Sequence, residues 1–364
     1  MTSVVVLGVS SARLWEALSP IIAAASLTFF VVMFVLYGKE PETLDPGAYV
    51  REPVPGYTPA LVGYLLRFGF VKPIDMVSTM IDLARKGYAQ ITETREDGGH
   101  TSDPTYRYEI RLKEKDEEGL ASYELDVLNL LKAAGAREGV SNDQLRERAA
   151  DQYGDLFERY RDFIWSVRDA GNSAGLVTSR LALVVANVVV GGLALLLAIA
   201  GLDIQGQGEG FKLASGPIIA IVLVVAQLAM TPLLRRRTTR GAGDFRRWMG
   251  FKHFLKDFSQ VGAWRPPAVE IWEEYLVYAV PLGVAHEVGK AVDLKALPQL
   301  PGELTWFGFH VEADRSLGDS IGGLTRSFAA SAEATFAAKP PRGAGRFSGG
   351  GRASRRKSPE PARK

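Results

Sequence analysis

The sequence predicts a mainly α membrane protein: three transmembrane helices carrying a cytoplasmic winged-helix-like α+β domain and a helical C-terminal region. Three observations lead there. Ala17–Gly38, Leu181–Leu202 and Leu213–Leu234 are each 22 residues long and free of Asp, Glu, Lys and Arg. At about 1.5 Å per residue a helix of that length extends roughly 33 Å, enough to cross a hydrocarbon core about 30 Å thick. None of the three has the charged stripe of a helix half-facing water. The second observation is charge placement, with Arg235, Arg236, Arg237, Arg240, Arg246 and Arg247 crowding the end of the third run. The third is the order helix, glycine, strand, polar loop, strand between Thr58 and Leu112.

Composition sets the outer bounds. In 364 residues, 43 basic side chains balance 41 acidic ones, so a net charge of +2 implies no generally anionic partner. Cysteine is absent, which excludes disulfides, thiolate metal sites and cysteine nucleophiles.

Taken in order, residues 1–16 form a short extracytoplasmic tail and 17–38 the first span. An uncleaved span fits better than a signal peptide, since no Lys or Arg precedes VVVLGV and no small-residue cleavage pattern follows Tyr37. Residues 39–57 are a proline-rich connector whose composition favours a semi-rigid spacer. The winged-helix-like part, 58–118, starts with Pro59 in a first helical turn. A second helix from about Pro73 to Lys86 sets Ile74, Val77, Ile81 and Ala84 near one face. Gly87 ends it, Tyr88–Glu93 alternates as a strand, EDGGHTSDPT is the wing, and Tyr106–Leu112 is the partner strand.

Residues 119–175 begin with a helix marked by Leu125, Leu128 and Leu131, and Ser141 can cap the next one. From there Leu145, Ala149, Tyr153, Leu156, Tyr160, Phe163 and Val167 step by three or four as a stripe about six turns long. This unit is either a second winged helix or a helical pack on the first. Residues 176–202 and 213–234 make a membrane hairpin around the loop 203–212, which has one cation, Lys212, beside Asp203 and Glu209. The arginines after the third span place the carboxyl end in the cytoplasm and the amino terminus outside.

In 235–338, Trp248, Phe251, Leu255 and Phe258 share a helical face, with Arg246, Arg247 and Lys252 on the remainder. That pattern suits a helix in the headgroup region, and equally a core helix of a cytoplasmic domain. The uncharged stretch Tyr275–Ala285 is too short to span and should fold back on the cytoplasmic face. Residues 339–364 are basic and low in complexity, with Glu360 the sole acid, as in a disordered tail.

At DLARKGYAQI (Asp82–Ile91) and IWEEYLVYAVPLGVA (Ile271–Ala285) the chain resembles the predicted bacterial membrane proteins grouped as domain of unknown function 2207. The proline-rich EPVPGYTPALVGYL, the DLARKGY turn, a membrane hairpin, WEEYLVYAVPLGV and the glycine-rich FSGGGR occur in the family's order, across roughly Tyr37–Gly351. The resemblance implies a membrane location and a cytoplasmic winged-helix-like region, and supplies no activity or catalytic residue. Family members usually carry an extracytoplasmic β-rich domain before the first span. The short stretch before Ala17 leads us to expect either its loss or a late chain start.

No constellation for catalysis, cofactor or metal binding emerges. His100 belongs to the wing, His253 and Asp257 suit a surface pair, and His310 stands alone. After His286–Glu287 a zinc-protease helix would need histidine at 290, where the chain has Lys290. GQGEG (Gly206–Gly210) lacks the strand and Lys-Ser/Thr of a phosphate cradle, and no serine sits in a nucleophile elbow. Asp75 and Asp82 on the helix before the wing, with Glu96 and Asp97 in it, argue against nucleic acid.

The expected function is a non-enzymatic interaction or regulatory module in the inner membrane, contacting lipid and an unidentified cytoplasmic protein, with oligomeric state open. The rivals are a membrane-anchored DNA-binding regulator and a transporter component or enzyme. The latter is weakened by spans without ionisable side chains. Within the hairpin, Asn187 and Gln227 lie at similar distances from the flanking Arg180 and Arg235, and equal depth permits an interhelical hydrogen bond.

Overall fold

The computed structural model describes residues 2–43, 47, 49–96, 105–178, 181–206, 215–258, 269–291, 306–308 and 317–336. It is mostly helical with a small sheet. Helix α1 (Thr2–Met33) ends in a π-turn, Phe34–Gly38. Helices α2 (Pro59–Leu66) and α3 (Pro73–Arg85) each start on proline, whose missing N–H would have no intrahelical partner there. Gly87, at φ +85°, turns the chain from α3 into strand β1 (Ala89–Glu96), a conformation costly for a residue with a Cβ. Strand β2 (Thr105–Leu112) returns antiparallel, from Glu96↔Thr105 to Ala89↔Leu112.

Next come α4 (Ser122–Ala133), the short strand β3 (Val140–Ser141), α5 (Asn142–Asp151), α6 (Tyr153–Ser173) and β4 (Val177–Thr178). Ser141 caps α5: the Gln144 backbone N–H donates to Ser141 Oγ at 3.2 Å, and Gln144 Oε1 accepts from the Ser141 N–H at 3.1 Å. The six-turn helix expected from Leu145 to Val167 is instead two helices, interrupted at Gln152. Gly154, just after the break, is a poor helix former. The stripe keeps its phase, with Leu145, Leu156, Tyr160, Phe163 and Val167 buried. The side chains of Ala149 and Tyr153 lie outside the described residues.

Helix α7 (Leu181–Gly206) and helix α8 (Ser215–Ala229) follow. A 3-10 turn, Thr231–Leu234, leads to β5 (Arg236–Arg237), then α9 (Thr239–Phe258), α10 (Val269–Leu282), α11 (Ala285–Ala291), β6 (Phe307–Gly308) and α12 (Leu317–Phe336). One sheet has the order β3-β2-β1-β6, with β6 parallel to β1. The other pairs β4 with β5, Val177 opposite Arg237, so it closes across the whole α7–α8 excursion. Segments before and after that excursion therefore share one apolar core.

Two places differ from the spacer and fold-back expectations. The proline-rich connector is strapped to the core: Val54 and Tyr57 are buried, Tyr275 Oη donates to Arg51 O at 2.7 Å and Tyr278 Oη to Tyr57 O at 2.6 Å. The short apolar run is not a surface layer either; α10 is core, packed on α2 and α3 with Leu276, Val277 and Ala279 fully enclosed.

Helices α1, α7 and α8 pack pairwise into a separate bundle. Its centre is small, with Ala23, Ala194, Ala198, Ala220 and Val224 buried. Its outside is large and apolar, including Ile21, Leu36, Val189, Leu193, Leu196 and Val222. Among the described residues, every exposed large hydrophobic side chain except Tyr49, Phe70 and Trp165 lies on these helices or their end turns. Two helices are long and apolar enough to cross a membrane, Trp15–Gly38 and Ala182–Asp203; the apolar part of α8, Gly216–Ala229, is shorter. Helices α1 and α8 touch backbone to backbone. Pro20 cannot donate to the Glu16 carbonyl, and a Cβ at Gly216 would sit 2.3 Å from that oxygen. Residues 97–104, 207–214, 259–268 and 337–364, with the loop expected as a wing and its His100, GQGEG beyond Gly206, and the basic tail, fall outside the described residues; so does His310.

Candidate functional site

Inside the bundle four neutral polar side chains form one hydrogen-bonded line. Ser26 Oγ donates to Gln227 Oε1 at 2.8 Å, Gln227 Nε2 to Asn187 Oδ1 at 3.0 Å, and Asn187 Nδ2 to Thr231 Oγ1 at 2.9 Å. All four are buried, and together they tie α1, α7, α8 and the 3-10 turn. Asn187 and Gln227 thus meet. Ser26 and Thr231 escaped sequence reasoning because a hydroxyl in an apolar run more often bonds its own helix, as Thr28 does with Ala24 O at 2.8 Å. Gly191 gives the line room: a Cβ there would sit 2.7 Å from Leu228 Cδ2.

Where the bundle meets the soluble region, Arg237 is the joint. Its side chain is buried, with the guanidinium carbon 3.9 Å from the Phe68 ring centroid and 3.6 Å from that of Phe245. Nε donates to Leu65 O and Nη2 to Leu66 O, both at 2.9 Å, which satisfies the last carbonyls of α2. Nη1 reaches Glu40 Oε1 at 2.5 Å, and Arg236 Nη1 donates to Lys39 O at 3.3 Å. The chain leaving α8 and the chain leaving α1 are thereby fastened to each other and to the soluble core. Burial draws the Arg237 guanidinium down from its ordinary range, and Glu40 opposes that. Sequence reading counted Arg237 as one of six similar cations; only its inward-facing place in a two-residue strand separates it from Arg236.

The headgroup reading of α9 is corrected by burial. Trp248, Phe251 and Leu255 are fully enclosed, in a cluster with Tyr57, Tyr275 and Tyr278 whose ring centroids lie 5.1–5.8 Å apart. Protein covers Trp248, Phe251 and Leu255, so none of these three is left for lipid. Arg246 and Arg247 stay at the surface, Arg246 donating to Thr43 O and Arg247 facing Asp244 at 3.9 Å, while Lys252 is half-buried. The Phe258 side chain lies outside the described residues. Asp257 accepts from Tyr49 Oη at 2.5 Å, and His253 is exposed beside it.

The two quoted motifs meet in space. In DLARKGY, Asp82 binds Arg85 at 2.9 Å and Lys86 at 2.8 Å, and Lys86 also reaches Glu124 at 2.5 Å. Burial pulls the Lys86 ammonium down, but Asp82 and Glu124 outweigh it and hold it above its usual value. Helix α10, from WEEYLVYAVPLGV, packs directly on this helix. Nearby, Asp75 is completely buried against Arg67 and accepts the Lys72 N–H at 2.8 Å. Burial pushes its carboxyl up to about 6, against the pull of Arg67 and Lys72. A cleft of about 320 Å³ runs beside Tyr88, with Lys113, Lys115, Lys132 and Arg137 on its walls, and Lys132 is paired with Glu117 at 2.5 Å. Among the described residues no group of three or more His, Asp or Glu side chains is placed to hold a metal ion.

A family model described as predicted membrane protein (DUF2207), C-terminal domain, matches residues 46–292. The chain belongs to this family. The matched stretch begins in the connector, contains α7, α8 and Arg237 with its α2 partners, and ends just after α11, so both motifs fall within the DUF2207 C-terminal domain. No curated protein and no solved structure matches the chain.

Proposed function

We propose that the protein is a three-span inner-membrane protein, amino terminus outside and carboxyl end inside. It holds a winged-helix-like soluble module rigidly against the cytoplasmic face for recognition by another protein. The observation that carries this is the Arg237 joint: buried, hydrogen-bonded through each guanidinium nitrogen, and made of residues from α2 and from the exits of both α1 and α8. A freely tethered domain has no use for such a joint. The exposed apolar belt of the bundle supports the spans, because monomeric proteins in water rarely expose patches of that size. Helix α8 and its 3-10 turn together extend about 30 Å, sufficient for the third crossing.

A DNA-binding role is less well supported. A groove-reading helix needs a free face, whereas α3, the helix before the wing, is buried throughout Asp75–Ala84. The test is photo-crosslinking in native membranes from exposed soluble-region positions such as Glu118 and Glu158. A discrete cytoplasmic protein in the product is expected. Sequence-selective, salt-sensitive retention of duplex DNA by the full-length protein, with no protein crosslinked, would favour the regulator instead.

A further inference from the structure

A second, smaller cleft, about 100 Å³, opens between α2, α6 and the end of the third run, with Arg168 and Arg235 on its walls beside Tyr64 and Asn172. It is too small for a drug-sized ligand, whose sites measure about 300–1,000 Å³, but suits a single compact anion. Two like charges converge on it, and among the described residues neither guanidinium forms an ion pair with a carboxylate. Arg168 Nε is buried without a hydrogen-bond partner. Both cations act on the Tyr64 phenol, which donates to Asn172 Oδ1 at 2.8 Å and so leaves the Asn172 amide nitrogen as a further donor. Unrelieved repulsion in a half-closed cleft is unfavourable. An anion accepting from both forks would remove it, and planar guanidinium groups match phosphate oxygens.

The cleft's place in the chain suggests where that phosphate comes from. Val177 on its wall is four residues before the start of α7, and Arg235 is the first residue after the 3-10 turn that ends the third run. Each arginine also has a partly exposed aromatic ring beside it: Arg235 is 4.4 Å from the Phe70 centroid and Arg168 is 6.0 Å from that of Trp165. Among the described residues, Phe70 and Trp165 are two of the three large exposed apolar side chains outside the bundle, and Trp favours the level of lipid headgroups. Basic pockets at the cytoplasmic ends of membrane helices bind such headgroups.

We propose that this cleft is a phosphate-binding site between Arg168 and Arg235, positioned to take the phosphate of an anionic lipid. The lipid source rests on the membrane placement of α8; the phosphate chemistry does not. The test uses full-length, delipidated protein in neutral detergent, with two probes: phosphatidylglycerol against phosphatidylcholine by native mass spectrometry, and inorganic phosphate by calorimetry. Wild type should retain phosphatidylglycerol over phosphatidylcholine by about tenfold or more, the equivalent of one charged hydrogen bond. Arg168→Gln/Arg235→Gln should abolish that preference without lowering the unfolding temperature. If the double variant does not fold, each single variant is read in the same way and should reduce the preference by roughly threefold. Arginine-dependent binding of inorganic phosphate without lipid preference would keep the site and assign a soluble source. Equal retention of both lipids together with no phosphate binding, or binding indifferent to both arginines, would overturn the proposal.

Discussion

The bundle of α1, α7 and α8 and the soluble core are packed in opposite senses. In the bundle alanines face inward and Leu, Ile and Val face outward; in the soluble core Trp248, Phe251, Phe163 and Trp306 are inside. Their buried polar groups differ as well. Among the described residues the bundle buries only neutral amides and hydroxyls, while the soluble core buries the charged Asp75, Asp82 and Arg237, each paired with a more exposed partner, Arg67, Lys86 and Glu40. Water rewards burial of large apolar groups. Lipid offers no such gain, so close backbone approach and interhelical hydrogen bonds hold helices together. The contrast is what two different solvents around one chain would produce.

The sharpest way to break this comparison is to remove the same kind of bulk on each side. Trp248→Ala should lower stability by about 3–5 kcal/mol, whereas Leu196→Ala on the bundle's outer face should change it by less than about 1 kcal/mol, because lipid fills the space. Thermal unfolding in micelles or bilayers measures both, and equal losses would refute the inverted packing. Next in size is the joint. Arg237→Met leaves the Leu65 and Leu66 carbonyls and Glu40 without their partner and should cost about 2–4 kcal/mol. A loss below about 0.5 kcal/mol, the range of ordinary surface changes, would show that the joint does not hold the two regions.

Asp75 sharpens the soluble side of the contrast. Its carboxyl, at about 6 in the folded protein, stands above the ordinary 3.8, so the folded state binds more protons between those values. Its contribution to stability is complete below about pH 4 and is lost as pH rises through about 6, with a slope of at most about 1.4 kcal/mol per unit. Asp75→Asn should flatten unfolding-versus-pH curves in that window, and an unchanged slope would contradict the assignment. The smallest effect is expected in the bundle, where a double-mutant cycle on Asn187 and Gln227 should give about 0.6 kcal/mol, at most roughly 1.7.

Local features of this fold were legible in the sequence, and long-range ones were not. The apolar runs, the prolines opening α2 and α3, the Gly87 turn and the Ser141 cap depend on near neighbours. Asn187 and Gln227 could be set at matching depth because Arg180 and Arg235 bound the two apolar runs. Nothing local announces that β4 pairs with β5 across the α7–α8 excursion, or that α10 packs on α2 and α3. The apolar face of α9 illustrates the limit: periodicity says that Trp248, Phe251 and Leu255 share a face, but whether lipid or Tyr57 and Tyr278 cover it is decided elsewhere in the chain. Arg168 and Arg235, on α6 and after the third run, are brought to one cleft by the same long-range closure.

The central claim, that lipid surrounds the bundle and cytoplasm surrounds the soluble core, is tested most directly by single cysteines in this cysteine-free chain. Asp203, at the far end of α7, and Lys256, on α9, are both exposed. With a membrane-impermeant maleimide on intact spheroplasts, Asp203→Cys should be labelled at once and Lys256→Cys only after lysis. The reverse pattern would contradict the orientation, and labelling of both positions only after lysis would contradict the membrane hairpin itself.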